Sequence, residues 1–190
     1  MLVSNMKITA VFVDRDGVLN GHLPGDYVKS PASLILIPGV AAAIRRLNDA
    51  SIPVIVISNQ QGVGKGLMSG EDLLLVTRHL EACLDAEAGA HLDRCYYCTD
   101  LKSADSPRRK PEPGMLFEAA QDYGFSLADT VFIGDSATDI AAGAAANVGA
   151  TILVLSGATP VHIADSFTPP PNHIFRTLAN AVDWILEDRE

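Results

Sequence analysis

Two aspartates close an apolar run in VFVDRDGVLN, residues 11–20. A buried carboxylate is costly without a partner, so Asp14 and Asp16 at a core edge point to a site that holds a cation or handles protons. A solvated turn is the alternative. Ser58, Asn59 and Asp135 also follow apolar runs, and Lys110 precedes a helical segment. If these residues meet, Asp14, Asp16 and Asp135 repel one another unless a cation lies among them, and hard oxygen ligands suit Mg²⁺. The ammonium of Lys110 then needs an anion between itself and the metal. A phosphoryl group meets that demand. On this reading Asp14 attacks phosphorus in line and forms an aspartyl-phosphate. Asp16 protonates the leaving alcohol and then activates the hydrolytic water. Lys110, the Ser58 hydroxyl and backbone N–H groups neutralise the transferring oxygens, and Gly17 lets the backbone approach them closely.

Such a meeting requires a fold that gathers distant segments. β-rich runs occur at 8–13, 53–58, 94–98, 130–135 and 150–155, and helical composition and spacing at 39–50, 69–89, 112–123, 137–147 and 176–187. Near-continuous apolar strands alternating with helices predict a doubly wound parallel α/β sheet in three α/β/α layers. Asp14, Ser58, Asn59 and Asp135 then share the carboxyl edge of the sheet, where open α/β folds bind ligands. Ser69 with Asp72 reads as a helix start, Gly89 as its stop, and the prolines of 168–172 as a stiff connector.

The 190 residues, 48% hydrophobic, suffice for one domain spanning 1–190. A net charge of -9 argues against a nucleic-acid or anionic-membrane partner. No apolar run is long enough to span a bilayer, and the start lacks the pattern of a signal peptide. Three cysteines form no even framework. The expectation is a cytoplasmic monomer acting on a small molecule.

DRDG, SNQ, RKP and GDSATD, in that order, resemble the four motifs of the haloacid dehalogenase (HAD) phosphatase superfamily. The longer pattern DRDGVLN, SNQQGVGKG, RRKPEPGM, GDSATDI is similar to the subgroup that acts on heptose 1,7-bisphosphate, at the 7-phosphate, or on histidinol phosphate. The resemblance implies a Rossmann-like HAD fold and a Mg²⁺-dependent phosphomonoesterase with Asp14 as nucleophile and Asp16 as acid/base. It implies Mg²⁺ on the Asp14 side chain, the Asp16 carbonyl and Asp135, with Asp139 in the shell beyond. Phosphate would be bound by Ser58, Asn59 and Lys110. Arg109 would reach a distal part of the substrate, and Gln60 and Lys65 would stand on the rim. The segments after the first two motifs leave no room for a cap domain, so loops 21–31 and 99–108 must shape the site, with Tyr27 and Val28 near its mouth.

Members of this subgroup often hold zinc through Cys-x-His and Cys-x-Cys before the third motif. Here Cys98 is followed by Asp100, Ser106 and Arg108 at the other positions, and one thiolate cannot make a tetrahedral site. Zinc is not expected. Cys95 and Cys98 fall on opposite faces of a strand and read as buried thiols. GVGKG lacks the first glycine and the Ser/Thr of a nucleotide-binding P-loop. His22, His79, His91, His162 and His173 lack ligand spacing, and Trp184 reads as packing for the last helix. A receiver-like regulatory module phosphorylated on Asp14 is the alternative from another class, and Asp16 argues against it.

Overall fold

The computed structural model describes residues 7–157, 159–160 and 166–187. Six parallel strands form one sheet in the order β3-β2-β1-β4-β5-β6. They are β1 (Ala10–Val13), β2 (Val54–Asn59), β3 (Arg94–Cys98), β4 (Thr130–Gly134), β5 (Ala150–Val154) and β6 (His173–Phe175). The helices are α1 (Val40–Asp49), α2 (Gln61–Gly64), α3 (Gly70–Ala88), α4 (Gly114–Tyr123), α5 (Ala137–Ala145) and α6 (Leu178–Glu187). This is the doubly wound, three-layer Rossmann-like arrangement expected.

Strand alternation divides the core in two. Val11, Val13, Val54 and Val56 face α1, α3 and α6, whereas Phe12, Ile55 and Ile57 face α4 and α5. With both faces covered, the central strands can be apolar throughout, as β1 and β4 are. Cys95 packs toward the first cluster and Cys98 lies in the second, so these thiols occupy opposite faces as expected. α3 opens on a reciprocal cap, in which Asp72 N–H donates to Ser69 Oγ at 3.0 Å and Ser69 N–H to Asp72 Oδ2 at 2.8 Å.

Two elements escaped the sequence reading. β6 follows the proline connector because Asn172 is tied to the start of β5: its N–H donates to the Thr151 carbonyl at 2.9 Å, and its Oδ1 accepts from Thr151 N–H at 2.8 Å. That pairing is tertiary and has no local signature. His173 and Phe175 then pack against Trp184, the His173 ring centroid 4.2 Å away. The other is α2, a single turn after β2 that carries GVG. Among the described residues, one 3₁₀ turn (Pro31–Ser33) stands between β1 and α1, and no insertion there or between β2 and β3 forms a cap.

Candidate active site

β1 lies between β2 and β4, with Val13 opposite Val56 and Ile133. Asp14 follows β1, Ser58 and Asn59 end β2, and Asp135 follows β4, so the carboxyl edge gathers them. Asp14 N–H still donates to the Ile133 carbonyl at 2.9 Å, which fixes the nucleophile candidate on the rigid end of the sheet. Lys110 arrives from the segment before α4 and is clamped there by Asn59. The Asn59 amide donates to the Lys110 carbonyl at 2.9 Å and accepts its N–H at 3.1 Å. Asn59, expected to bind phosphate, thus has its side chain committed to the Lys110 backbone.

The Lys110 ammonium is buried. Nζ lies 2.9 Å from Asp14 Oδ1 and 2.6 Å from Asp139 Oδ1, and it donates to the Ile57 carbonyl at 2.7 Å. Burial alone would lower its pKa, yet the Asp139 and Asp14 carboxylates raise it well above the usual lysine range. Burial raises Asp14 to about 6, with Asp139 and Asp16 pushing the same way and Lys110 opposing them. Asp139 divides its oxygens: Oδ1 pairs with Lys110, while Oδ2 caps α5, accepting from Ser136 Oγ at 2.6 Å and Ser136 N–H at 3.1 Å.

Oxygen atoms of Asp14, Asp135 and Asp139 all lie within 4.8 Å of one another. An all-oxygen, anionic donor set suits a hard divalent cation such as Mg²⁺. The cleft above it measures about 220 Å³ and is lined by Asp14, Asp16, Ser58, Lys110 and Asp135, with Tyr27 and Val28 of loop 21–31 on its wall. Asp16 turns its carboxylate to Arg15, Asn20 and Gln60. Burial would raise its pKa, but the Arg15 guanidinium and these hydrogen bonds bring it below the usual carboxylate range.

Gln60 corrects the sequence reading. It was expected on the rim and is instead fully buried, donating to Asp16 Oδ2 at 2.8 Å and Ser58 Oγ at 3.1 Å. Lys65 is exposed and donates to Tyr27 Oη at 3.0 Å, beside the mouth. Arg109 is held back from the cleft, donating to the Asp100 carbonyl at 3.1 Å and Gln61 Oε1 at 3.4 Å. Its neighbour Arg108 pairs with Glu118 at 2.7 Å. Cys98, Asp100 and Ser106 do converge, through hydrogen bonds from Cys98 Sγ of 3.5 Å to Asp100 Oδ2 and 4.0 Å to Ser106 Oγ. His162 lies outside the described residues.

The sequence reading also missed residues 156–157. Ser156 Oγ donates to the Gly17 carbonyl at 2.9 Å, and a Cβ on either Gly17 or Gly157 would overlap the Asp135 carboxylate. Gly17 additionally holds φ +85°, which favours glycine. Two adjacent glycines thus make room for the Asp135 carboxylate. A glycine soon after an apolar strand was the only signal in the sequence, and glycines in loops are too common to single one out.

A family model described as HAD-hydrolase-like matches residues 107–181. The D-glycero-D-manno-heptose-1,7-bisphosphate 7-phosphatase of Thermosynechococcus vestitus is 40% identical, over 95% of this chain and 96% of its own. A D-glycero-alpha-D-manno-heptose-1,7-bisphosphate 7-phosphatase of Mycobacterium tuberculosis is 36% identical, over 82% and 84%. Among solved structures, the D,D-heptose 1,7-bisphosphate phosphatase from B. bronchiseptica, complexed with magnesium and phosphate, superposes with a TM-score of 0.84 at 30% identity, covering 94% of this chain and 99% of that one.

Proposed function

Because this chain belongs to the HAD-like phosphatase family of these relatives, we propose that it removes the 7-phosphate of a D-glycero-D-manno-heptose 1,7-bisphosphate through an aspartyl-phosphate on Asp14. The observation that carries the reading is the convergence of Asp14, Ser58, Lys110 and Asp135 on one cleft, from segments far apart in sequence. The identities with heptose-bisphosphate phosphatases support the substrate.

An Asp14 carboxylate oxygen forms a bond to phosphorus as the bond from phosphorus to the sugar oxygen breaks, and Asp16, which takes up a proton on substrate binding against the pull of Arg15, gives that oxygen its proton. Asp16, now a carboxylate, takes a proton from water as the water oxygen bonds phosphorus and the acyl-phosphate bond breaks. Lys110 balances the charge on the phosphoryl oxygens, and the Ser58 hydroxyl orients them. The Asp14 and Asp135 side chains with the Asp16 carbonyl would hold Mg²⁺, which when bound supplies positive charge to the transferring phosphoryl group. Asp139 stands one layer out, since its oxygens serve Lys110 and the α5 cap. Lys65, on Tyr27 beside the mouth, is the cation from the motif segments best placed for the second phosphate, and Arg109 would reach one only by leaving the Asp100 carbonyl. A soluble acidic enzyme of the cytoplasm, working as a monomer, fits this substrate, and among the described residues no helix is long and apolar enough to cross a membrane.

A screen tests the substrate: both anomers of heptose 1,7-bisphosphate, the 7-monophosphate, histidinol phosphate and common sugar monophosphates, each with Mg²⁺. The bisphosphate is expected to exceed the others in kcat/KM by on the order of 10²-fold, because charged groups placed for a second phosphate are left unpaired by a monophosphate. Equal rates on histidinol phosphate would overturn the substrate while leaving the phosphatase chemistry standing.

The glycine pair gives a second expectation. In Gly157→Ala the new methyl displaces the Asp135 carboxylate, and Mg²⁺ affinity should fall by about 10–100-fold. Calorimetric titration of Mg²⁺ reads this directly. A melting temperature within a few degrees of the parent would separate the effect from misfolding, and unchanged affinity would refute this role of the glycines.

A further inference from the structure

Arg15 lies between the two aspartates, yet its side chain is among the largest fully buried in the protein. A guanidinium is an expensive way to fill a core. Its contacts are concentrated on one group. Nη2 donates to Asp16 Oδ2 at 2.9 Å and to Asp16 Oδ1 at 3.0 Å, and Nε lies 3.3 Å from the same Oδ1. Nη2 also reaches Gln60 Oε1 at 3.0 Å, and Gln60 returns a hydrogen bond to Asp16 Oδ2 at 2.8 Å. Asn20 Nδ2 completes the grip on Oδ1 at 2.8 Å. Underneath, the Tyr97 ring supports the guanidinium, with 5.9 Å from Cζ to its centroid. Nη1, by contrast, is buried without a hydrogen-bond partner. An arginine placed only for its own satisfaction would not leave one nitrogen unmet while directing the others to Asp16 and to the Gln60 that also holds Asp16.

We propose that Arg15, seconded by Gln60, is a positioning residue that locks the Asp16 carboxylate in one orientation, so that proton transfer to the leaving group meets a preset acid/base. The inference rests on the phosphatase reading above and adds the device that aims its proton donor. Gln60 also donates to Ser58 Oγ at 3.1 Å, so the lock ties the acid/base to the phosphate-binding side of the cleft. Arg15 itself touches no reacting atom. Its effect should therefore appear only in steps where Asp16 moves a proton, and misplacement by an ångström is enough to cost about 10²-fold in such a step.

The test compares two leaving groups in Arg15→Met. An alkyl phosphate needs a proton as its oxygen departs, whereas p-nitrophenolate leaves without one. In a rapid-mixing experiment with Mg²⁺, the first-turnover rate on the heptose bisphosphate should fall by about 10–100-fold. The p-nitrophenolate burst should stay within about threefold of the parent, a factor small beside that positioning effect. KM for the bisphosphate should hardly change, since Arg15 makes no contact in the cleft. Equal losses on both substrates would overturn the proposal, because Arg15 would then support the nucleophile or the fold. Unchanged rates on both would overturn it as well. If Arg15→Met does not fold, as judged by its melting curve, Arg15→Lys keeps the charge, loses the two-nitrogen grip on Asp16 and is expected to show the same split. Failure of the acid-quenched parent enzyme to carry substrate phosphate on Asp14 would count against the aspartyl-phosphate reading itself, which keeps the two failures apart.

Discussion

Asn in place of Asp14 is expected to reduce turnover by roughly 10⁴–10⁶-fold while leaving the fold intact. An amide has the volume of the carboxylate but cannot form the acyl-phosphate, so what remains is whatever the bound ion and Lys110 achieve with water directly. The same variant carries an opposite expectation for stability. In the folded protein Asp14 is raised from 3.8 to about 6 by burial, so the native state binds its proton more tightly than the unfolded chain does. The sign follows: stability from this group is present below pH ~4 and is lost as pH rises through ~6. At pH 7 without divalent ions, ionised Asp14 opposes folding, and Asp14→Asn should melt higher than the parent. That advantage should vanish toward pH 4. Melting curves in chelator across this range check it, and a variant that melts lower at pH 7 would show that the Lys110 pairing outweighs burial.

The second large effect concerns Lys110. Its ammonium is 2% exposed and stands between two acids, at 2.9 Å from Asp14 and 2.6 Å from Asp139. Lys110→Met fills the space and leaves two buried carboxylates facing each other, a loss of about 3–5 kcal/mol by the usual cost of orphaning a buried charge. Mg²⁺ binds the folded state only and should recover part of that loss. Turnover should nevertheless stay about 10²–10³-fold down with Mg²⁺ saturating, since the cation facing the phosphoryl oxygens is gone. Urea melts with and without Mg²⁺, set beside kcat, separate the two contributions. A variant as stable and as active as the parent would remove Lys110 from the site.

The layout was legible because it depends on period and order. Apolar runs such as 54–57 are buried on both faces and announce a parallel strand, and a parallel sheet forces their carboxyl ends to one edge. That placed Asp14, Ser58, Asn59 and Asp135 on one edge before any coordinates, and the RKP motif of the resemblance added Lys110. Their partners were less legible. Arg15 drew no reading from the sequence, and only its bonds to Asp16 and Gln60 reveal a buried fork. Gln60 itself was put on the rim with the resemblance, whereas here hydrogen bonds to Arg15, Ser58 and Asp16 satisfy its buried amide. β6 was missed for a similar reason, since three residues after a proline run become a strand only by pairing with β5. Gly157 acts by what it lacks, and that is visible only against the Asp135 carboxylate.

The central claim is that Asp14 carries the phosphoryl group, and the most direct test is to catch it there. Enzyme in excess over heptose bisphosphate labelled at the 7-phosphate would be quenched in acid within a single turnover and digested. The label is expected on the peptide spanning residues 11–20, at Asp14, and should be released by hydroxylamine as an acyl-phosphate is. Full product release with no labelled peptide at any quench time, or a label on another residue, would contradict the account.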